Sequence, residues 1–364
     1  MATSCQFRII NMNRKTLLEK VGNIQQVAHI RTSRMSEGRS NNMRMATVKN
    51  DDLSYQIMLD KCLDISQLEY KGININFLSK PGLNGRNSFD TNGAEALRSI
   101  MGGMFFTCGF ENICAPYVKG DTQYPMHGRM RTTPAENVCT DCYWVDDETY
   151  QMSVSGEMVE AQLFGEHLSL RRKITTSLGV PKINICDEII NQTCRVEPIM
   201  LLYHCNFGYP FLSDKCELII PAIKTVGRED YSQSNIKNWD KVSSPKDGVE
   251  EEVFIHSLKA DENGMTFVGI FNQELGFGVR INFNIIDLPY FMEWKSMASN
   301  DYVIGFEPSN SSVYGRALHE VEGNIPFIAP YEKKIISWSF EIIKDENEKF
   351  KLIDKIKDFT NKEE

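Results

Sequence analysis

From about residue 50 to residue 340, apolar and polar positions alternate in short runs. Tyr55-Gln56-Ile57-Met58-Leu59 and Gly72-Ile73-Asn74-Ile75-Asn76-Phe77-Leu78 are two of them. Thr266-Phe267-Val268-Gly269-Ile270-Phe271, Gly278-Val279-Arg280-Ile281-Asn282-Phe283 and Ile335-Ile336-Ser337-Trp338-Ser339-Phe340-Glu341-Ile342 continue the series. Period-two runs bounded by Gly, Pro, Asn and Asp predict strands and turns. Long helical periodicity is nearly absent from the same stretch, so the pattern predicts an all-β sandwich or barrel. No break in composition divides it, and residues 46–343 read as one large β domain. The ends differ. Leu17 to Ile30 carries helical spacing and Arg31 to Arg44 is polar and basic, so residues 1–45 read as a short helix followed by a polar arm. In residues 344–364, Phe350, Leu352, Ile353, Ile356 and Phe359 recur at helical intervals among Lys and Glu, which predicts an amphipathic helix or a frayed tail.

Composition narrows the function classes. The 364 residues are 41% hydrophobic and 24% charged, as in ordinary globular proteins. Forty Lys+Arg against 49 Asp+Glu give a formal charge of −9. Nucleic-acid binding needs clustered positive charge, so no nucleic-acid partner is expected. No window approaches the ~20 apolar residues of a membrane span, and the start lacks the apolar core of a signal peptide. A cytoplasmic protein without a membrane partner is the expectation. The ten cysteines then read as reduced thiols. Cys139-Thr140-Asp141-Cys142 is the only CxxC pair, and a structural zinc site normally needs four ligands. The pair is therefore read as structural, with a metal or redox role as the alternative, and no metal site is expected.

Four segments concentrate residue types used in catalysis. They are Met126-His127-Gly128-Arg129-Met130, Tyr203-His204-Cys205-Asn206-Phe207, Phe291-Met292-Glu293-Trp294-Lys295 and Tyr302-Val303-Ile304-Gly305-Phe306-Glu307-Pro308. On a strand, a spacing of two would put His127 with Arg129, and His204 with Asn206, on one face. Each segment also has a purely structural reading. A lone His in a β segment is commonly a hydrogen-bonded structural residue, Arg129 could pair with Glu136, and Phe105, Phe106 and Phe110 read as core.

The ordered set of motifs is more specific than any one of them. Asp60-Lys61-Cys62-Leu63-Asp64-Ile65, Leu97-Arg98-Ser99-Ile100-Met101-Gly102-Gly103-Met104 and Thr107-Cys108-Gly109-Phe110 come first. His127-Gly128-Arg129 with Pro134-Ala135-Glu136-Asn137, Tyr203-His204-Cys205-Asn206-Phe207-Gly208-Tyr209-Pro210, Glu293-Trp294-Lys295 and Gly305-Phe306-Glu307-Pro308 follow. From about Gly22 to Ile342 the chain resembles the aldose 1-epimerase (galactose mutarotase-like) superfamily, within it the branch that includes deoxyribose mutarotase-like proteins. It departs from that branch at Lys61-Cys62 (Arg-Gly there), at Glu293 (Gln there) and at Gly38-Arg39-Ser40 (Gly-Arg-Gly there).

The resemblance implies a β-supersandwich of antiparallel strands with few short helices and a sugar site on its concave face. It implies Glu307 as general base and His204 as general acid. His127 and Arg98 would bind the sugar, and Arg129, Asn206, His256 and Lys295 are weaker transfers to that role. Glu293, if it faced the pocket, would alter substrate preference. The implied reaction is interconversion of the α and β anomers of a monosaccharide or sugar derivative, with no cofactor. It needs an acid and a base near neutrality on opposite sides of a sugar edge. Trp294 or Phe207 could cover the sugar's apolar face. A carbohydrate-binding or sensing protein on the same scaffold is the alternative, since fold does not fix function, and another carbohydrate enzyme, such as a lyase or isomerase, is a third. A homo-oligomer is left open.

Overall fold

Antiparallel pairing organises almost every strand of the molecule, a computed structural model that describes residues 13–85 and 93–359. Three sheets carry the architecture. A five-stranded meander runs from Ala28–Arg34 through Arg44–Asn50, Leu53–Met58 and Asp64–Tyr70 to Ile73–Asn74. An eight-stranded sheet begins with Glu136–Trp144, Tyr150–Ala161, His167–Ser177 and Lys182–Asn191, then takes in Lys333–Ile343, Phe277–Asn284, Met265–Asn272 and Cys216–Ile219. A six-stranded sheet follows the order Ala222–Gly227, Glu252–Leu258, Tyr290–Ala298, Asp301–Ser309, Met200–Phe207 and Phe105–Phe110. Helices are short; Gly315–Glu322 and Glu346–Lys357 are the longest among the described residues.

Four of the five runs foreseen from alternation are strands; the fifth, Gly72 to Leu78, is broken into Ile73–Asn74 and Phe77–Leu78, which pair in different sheets. Leu53–Met58, Met265–Asn272, Phe277–Asn284 and Lys333–Ile343 account for the other four. The N-terminal reading needs correction. Among the described residues, α-helix here is confined to Arg14–Leu18, with 3-10 turns at Ile24–Gln26 and Gly38–Ser40, and Ala28–Arg34 is a strand paired residue for residue with Arg44–Asn50. The polar side chains of Arg31 to Arg34 lie on an exposed edge strand, so the one-sided burial that a period-two signal needs is missing. The C-terminal expectation fits helix Glu346–Lys357, capped by Asp345, whose side chain accepts from Glu348 N. Residues 360–364 and the chain start lie outside the described residues.

Met200–Phe207 is buried at all eight positions because both faces of the six-stranded sheet are covered. One face meets the eight-stranded sheet in a core that includes Phe105, Tyr203, Phe207, Phe306, Trp338 and Phe340. The other carries Phe106, Met200, Leu202, Val253 and Met292 in a second cluster, which lies beside the candidate site. Phe207, named as a sugar cover, belongs to the first face and packs on Phe211 and Phe306.

A fully buried ionic cluster ties the layers together. Arg172 donates twice to Asp187, at 2.7 and 2.6 Å, and to Asp64 and the Cys62 carbonyl at 2.8 and 2.9 Å. Tyr203 donates its hydroxyl to Asp187, and the Thr107 backbone N–H and hydroxyl both donate to Asp64. Five strands from all three sheets thereby share one hydrogen-bonded network, with no side chain of the Arg172–Asp64–Asp187 trio exposed. Burial pushes the Asp64 carboxyl up to about 7, against the pull of Arg172 and the Thr107 bonds.

Candidate functional site

Strands Met200–Phe207 and Asp301–Ser309 pair antiparallel in a register running from Leu202 opposite Ser309 to Phe207 opposite Ile304. That register sets His204 across from Glu307 on the face away from the main core. His204 Nε2 and Glu307 Oε1 lie 3.1 Å apart. On its other flank, His204 pairs with Phe106 in strand Phe105–Phe110, and the two rings stack at 4.6 Å and 18°. Trp294 meets the His204 ring edge-on at 5.3 Å. Gly305 lies beneath them; a Cβ there would come within 3.1 Å of His204 Cε1 and 3.4 Å of Glu307 Oε1. The imidazole thus has one aromatic face, one carboxylate partner and one aromatic edge, with little room to turn.

These groups lie in a cavity of about 720 Å³, within the usual range of a small-molecule site. Its walls are largely apolar, with Ile100, Met126, Val253 and Val313 among them. Two charged pairs also line it: Lys80 with Asp301, and Arg228 with Glu251. Trp294 is held by donating its indole N–H to Glu251 at 2.8 Å.

Burial sets the electrostatics. It pushes Glu307 up to about 8, opposed by Arg228 and reinforced by Glu251. It takes His204 down to about 4, despite a hydrogen bond involving Asn206. The pair is therefore a single-proton unit over the range between, with the proton favoured on Glu307. His204 Nδ1 has no hydrogen-bond partner among the described residues.

The predicted site residues divide clearly. His204, Glu307, Asn206 and His127 all line the one cavity. Asn206 lies on the His204 face, as the spacing of two required, and donates to the carbonyls of His204 and Gly103. His127 comes within 5.8 Å of the His204 ring, centroid to centroid, and burial, then the His204 charge, hold it well below the usual imidazole range. Contrary to the requirement for groups on opposite sides of a sugar edge, His204 and Glu307 touch each other directly, because they are facing cross-strand partners.

Other assignments need correction. His127 and Arg129 do not share a face, because the segment is a turn and not a strand. His127 has φ +58 and Gly128 φ +68. Gly128 packs so close to Gly109 that a Cβ would be 2.2 Å from its carbonyl oxygen. Arg129 leaves in another direction and pairs with Glu111, not Glu136, at 2.9 Å. Arg98 ends a 3-10 turn with its side chain 77% exposed beside Glu95, and it does not line the cavity. His256, Glu293 and Lys295 lie on the opposite face of the six-stranded sheet. Val253 and Trp294, in the same two strands, alternate with them and take the cavity side. There His256 Nε2 is 3.3 Å from Glu293 Oε2, and Thr225 hydrogen-bonds the other ring nitrogen at 2.9 Å. Lys295 donates to the carbonyls of Asn238, Trp239 and Lys241 and neighbours Glu293 Oε1 at 3.4 Å. Glu293 consequently cannot touch a ligand in the cavity. Phe106, Arg228, Glu251 and Gly305 were missed or misread. Phe106 joins the site through its cross-strand pairing with His204, a register that the sequence does not display.

Among the described residues, no group of three or more His, Cys, Asp or Glu side chains is arranged to hold a metal ion. Cys139 and Cys142 are exposed free thiols on strand Glu136–Trp144. No described helix is long and apolar enough to cross a membrane.

Comparison with known proteins places the fold. A putative aldose 1-epimerase from Klebsiella pneumoniae superposes with a TM-score of 0.86 at 22% identity, over 97% of this chain and 92% of that one. A galactose mutarotase-like protein from Clostridium acetobutylicum gives 0.60 at 14% identity, over 88% and 99%. Galactose 1-epimerase from Lactobacillus acidophilus gives 0.56 at 12% identity, over 87% and 99%. These likenesses show the galactose mutarotase-like fold anticipated from the sequence motifs. No curated protein matches the chain. A family model does match, over residues 40–342. The chain accordingly belongs to the family described as a domain of unknown function, DUF4432, and carries it on a galactose mutarotase-like scaffold.

Proposed function

We propose that the protein is a mutarotase of the aldose 1-epimerase type, with Glu307 and His204 as its proton-transfer pair. The observation that carries this reading is the buried 3.1 Å His204–Glu307 contact on the floor of a cavity of small-sugar size. The names of the structural neighbours support it. Phe106 and Trp294 offer apolar faces for a sugar ring, and Asn206 and His127 lie beside the pair.

The proton count works as follows. With the shared proton on His204, Glu307 takes the anomeric hydroxyl proton while His204 gives its own to the ring oxygen. The ring C–O bond breaks and the anomeric carbon becomes an aldehyde. The pair still holds one proton, now on Glu307, the placement that burial favours. The C1–C2 bond of the open chain then rotates. Closure on the other face returns a proton from Glu307 to the carbonyl oxygen and takes the ring-side hydroxyl proton onto His204. Sugar hydroxyls must part the two side chains by entering between them, and they replace the contact they break with hydrogen bonds of their own.

The test is magnetisation-exchange NMR of anomer interconversion across neutral, deoxy and acidic sugars, followed by Glu307→Gln on an accepted substrate. Loss of one proton-transfer partner should slow exchange by about 10²–10⁴-fold with the fold retained. Parent-like exchange by folded Glu307→Gln refutes the reading. The direct Glu307–His204 contact also suits a binding or sensing protein that keeps the pair as a hydrogen-bonding floor. Saturable sugar binding in the parent, with no faster anomer exchange of any bound sugar, selects that alternative.

A further inference from the structure

A second cleft, of about 510 Å³, adjoins the His204–Glu307 cavity at Phe77, which lines both. Its size suits a small molecule. Strands Leu53–Met58 and Asp64–Tyr70 form one wall. Their register pairs Gln56 with Gln67, then skips Ser66 and pairs Ile57 with Ile65. Cross-strand partners share a face, so the two glutamine side chains stand side by side. The skipped residue makes a β-bulge, through which Ser66 and Gln67, consecutive in sequence, both line the cleft. Gly103 packs on this bulge; a Cβ there would come within 3.0 Å of the Ser66 Cα.

The remaining walls come from other segments. Asn74 donates to the carbonyls of Asn76 and Tyr209, at 2.7 and 2.9 Å, and the Gly208 N–H donates to the Ile75 carbonyl at 2.9 Å. These bonds fix the backbone beneath Tyr209, which stays 78% exposed. Tyr302 donates its hydroxyl to the Ser243 carbonyl at 2.7 Å, so its ring is held in place. Asn300, at the tip of the hairpin between Tyr290–Ala298 and Asp301–Ser309, is exposed at φ +70. The side-chain amides of Gln56 and Asn300 and the Tyr209 hydroxyl make no hydrogen bond among the described residues.

No charged side chain lines this cleft, although charged residues make up 24% of the chain. An ionic ligand would leave water for a wall with no counter-charge, and a purely apolar one would strip water from amides without replacing its hydrogen bonds. Carboxamides both donate and accept, as hydroxyls do, and aromatic rings offer apolar faces. A sugar ring matches both, with hydroxyls around its rim and C–H groups on its faces. The amides come from separate segments, which suits hydroxyls radiating from a ring better than the single hydrogen-bonding edge of a planar base. We propose that this cleft binds a neutral sugar ring, with Tyr209 against its C–H face and Gln56 and Asn300 on its hydroxyls. The site lies apart from the His204–Glu307 pair and does not depend on the mutarotase reading.

Fluorine NMR of the full chain labelled with 3-fluorotyrosine tests this, because no described tyrosine lines the His204–Glu307 cavity. The Tyr209 signal is assigned from its loss in Tyr209→Phe. The probes are methyl glycosides of neutral hexoses and pentoses, which have no anomeric hydroxyl to exchange. At least one should shift the Tyr209 signal saturably, with a dissociation constant of about 1 mM or tighter. Nicotinamide, a planar neutral amide, and methyl glucuronide, an anionic match, should bind more weakly. Asn300→Gly, which keeps the positive φ and removes the amide, and Gln56→Ala should each weaken glycoside binding about fivefold. No saturable shift with any glycoside up to about 0.1 M overturns the proposal. So does equal or tighter binding of nicotinamide or the glucuronide, or unchanged affinity in either folded variant. The glycosides are read on the unaltered sequence, so the test stands even if a variant fails to fold. Anomer exchange is no part of the readout, so the outcome is independent of the roles of Glu307 and His204.

Discussion

Arg172→Met is the sharpest test of the buried network that joins the sheets. Arg172 is fully buried, and its guanidinium makes four hydrogen bonds, three to carboxylates and one to the Cys62 carbonyl. Methionine fills a similar length of core and provides none of them. Breaking a buried pair by removing one partner typically costs about 3–5 kcal/mol, because the remaining charge is stranded. Two features shape the figure here. Asp64 keeps its Thr107 donors and Asp187 keeps the Tyr203 hydroxyl, so neither carboxylate is left bare. Asp64 is also already raised to about 7 from 3.8, with Arg172 among the influences holding it down.

The sign follows from linkage. A carboxyl raised on folding binds protons more tightly in the native state, so stability falls as pH climbs from about 3.8 toward 7. Removing Arg172 raises Asp64 further and extends that fall to higher pH. The expected loss is therefore about 3 kcal/mol near pH 5.5, where Asp64 takes a proton, and about 5 kcal/mol near pH 8.5, where it cannot readily do so. Urea unfolding monitored by tryptophan emission reports on it directly, since Trp338 lies 4.6 Å from the Tyr203 ring in the same core. A double-mutant cycle with Asp187→Asn should show strong coupling. A loss under about 1 kcal/mol at the higher pH, or strictly additive single losses, refutes the account of Arg172 as the hub of that network.

Two further outcomes follow from the same structure. If the His204–Glu307 pair works as a single-proton unit, anomer exchange should be bell-shaped in pH, with limbs near 4 and 8. Below the first both groups are protonated and above the second neither is, so a flat profile across that span contradicts the shared proton. Lys295→Met removes three carbonyl contacts to the 238–241 segment and leaves the fully buried Glu293 with His256 alone. It should cost about 3–5 kcal/mol and speed limited proteolysis within residues 235–246, as followed by mass spectrometry. Parent-like cleavage rates would show that the segment is held by something else.

The strands were legible where a run had one clear alternation, as at Thr266–Phe271, and the facing of His204 with Asn206 came directly from it. Alternation does not reveal which face meets the ligand. Trp294 lines the cavity, yet its neighbours Glu293 and Lys295 point to the other side of the same strand. His127 and Arg129 misled because the rule of two was applied across a turn with positive φ. Ala28–Arg34 failed for the converse reason: it is a strand held by backbone pairing at an exposed edge, where polar side chains erase the pattern. Arg98 and His256 came from motif position alone, which carries no information on side-chain direction.

The turn at residues 127–129 has a consequence for how this protein can change over generations. His127 is delivered to the His204–Glu307 cavity and Arg129, one residue past Gly128, to a separate concavity that Arg195 and Arg316 also line. Gly128 is pressed onto the Gly109 carbonyl, so the turn has no slack with which to absorb an insertion or a bulkier residue. Any alteration here reaches both chambers at once. The two walls are therefore inherited as a unit, and variation that tunes one chamber alone has to come from elsewhere, such as the 161–166 hairpin on one side and residues 249–251 on the other.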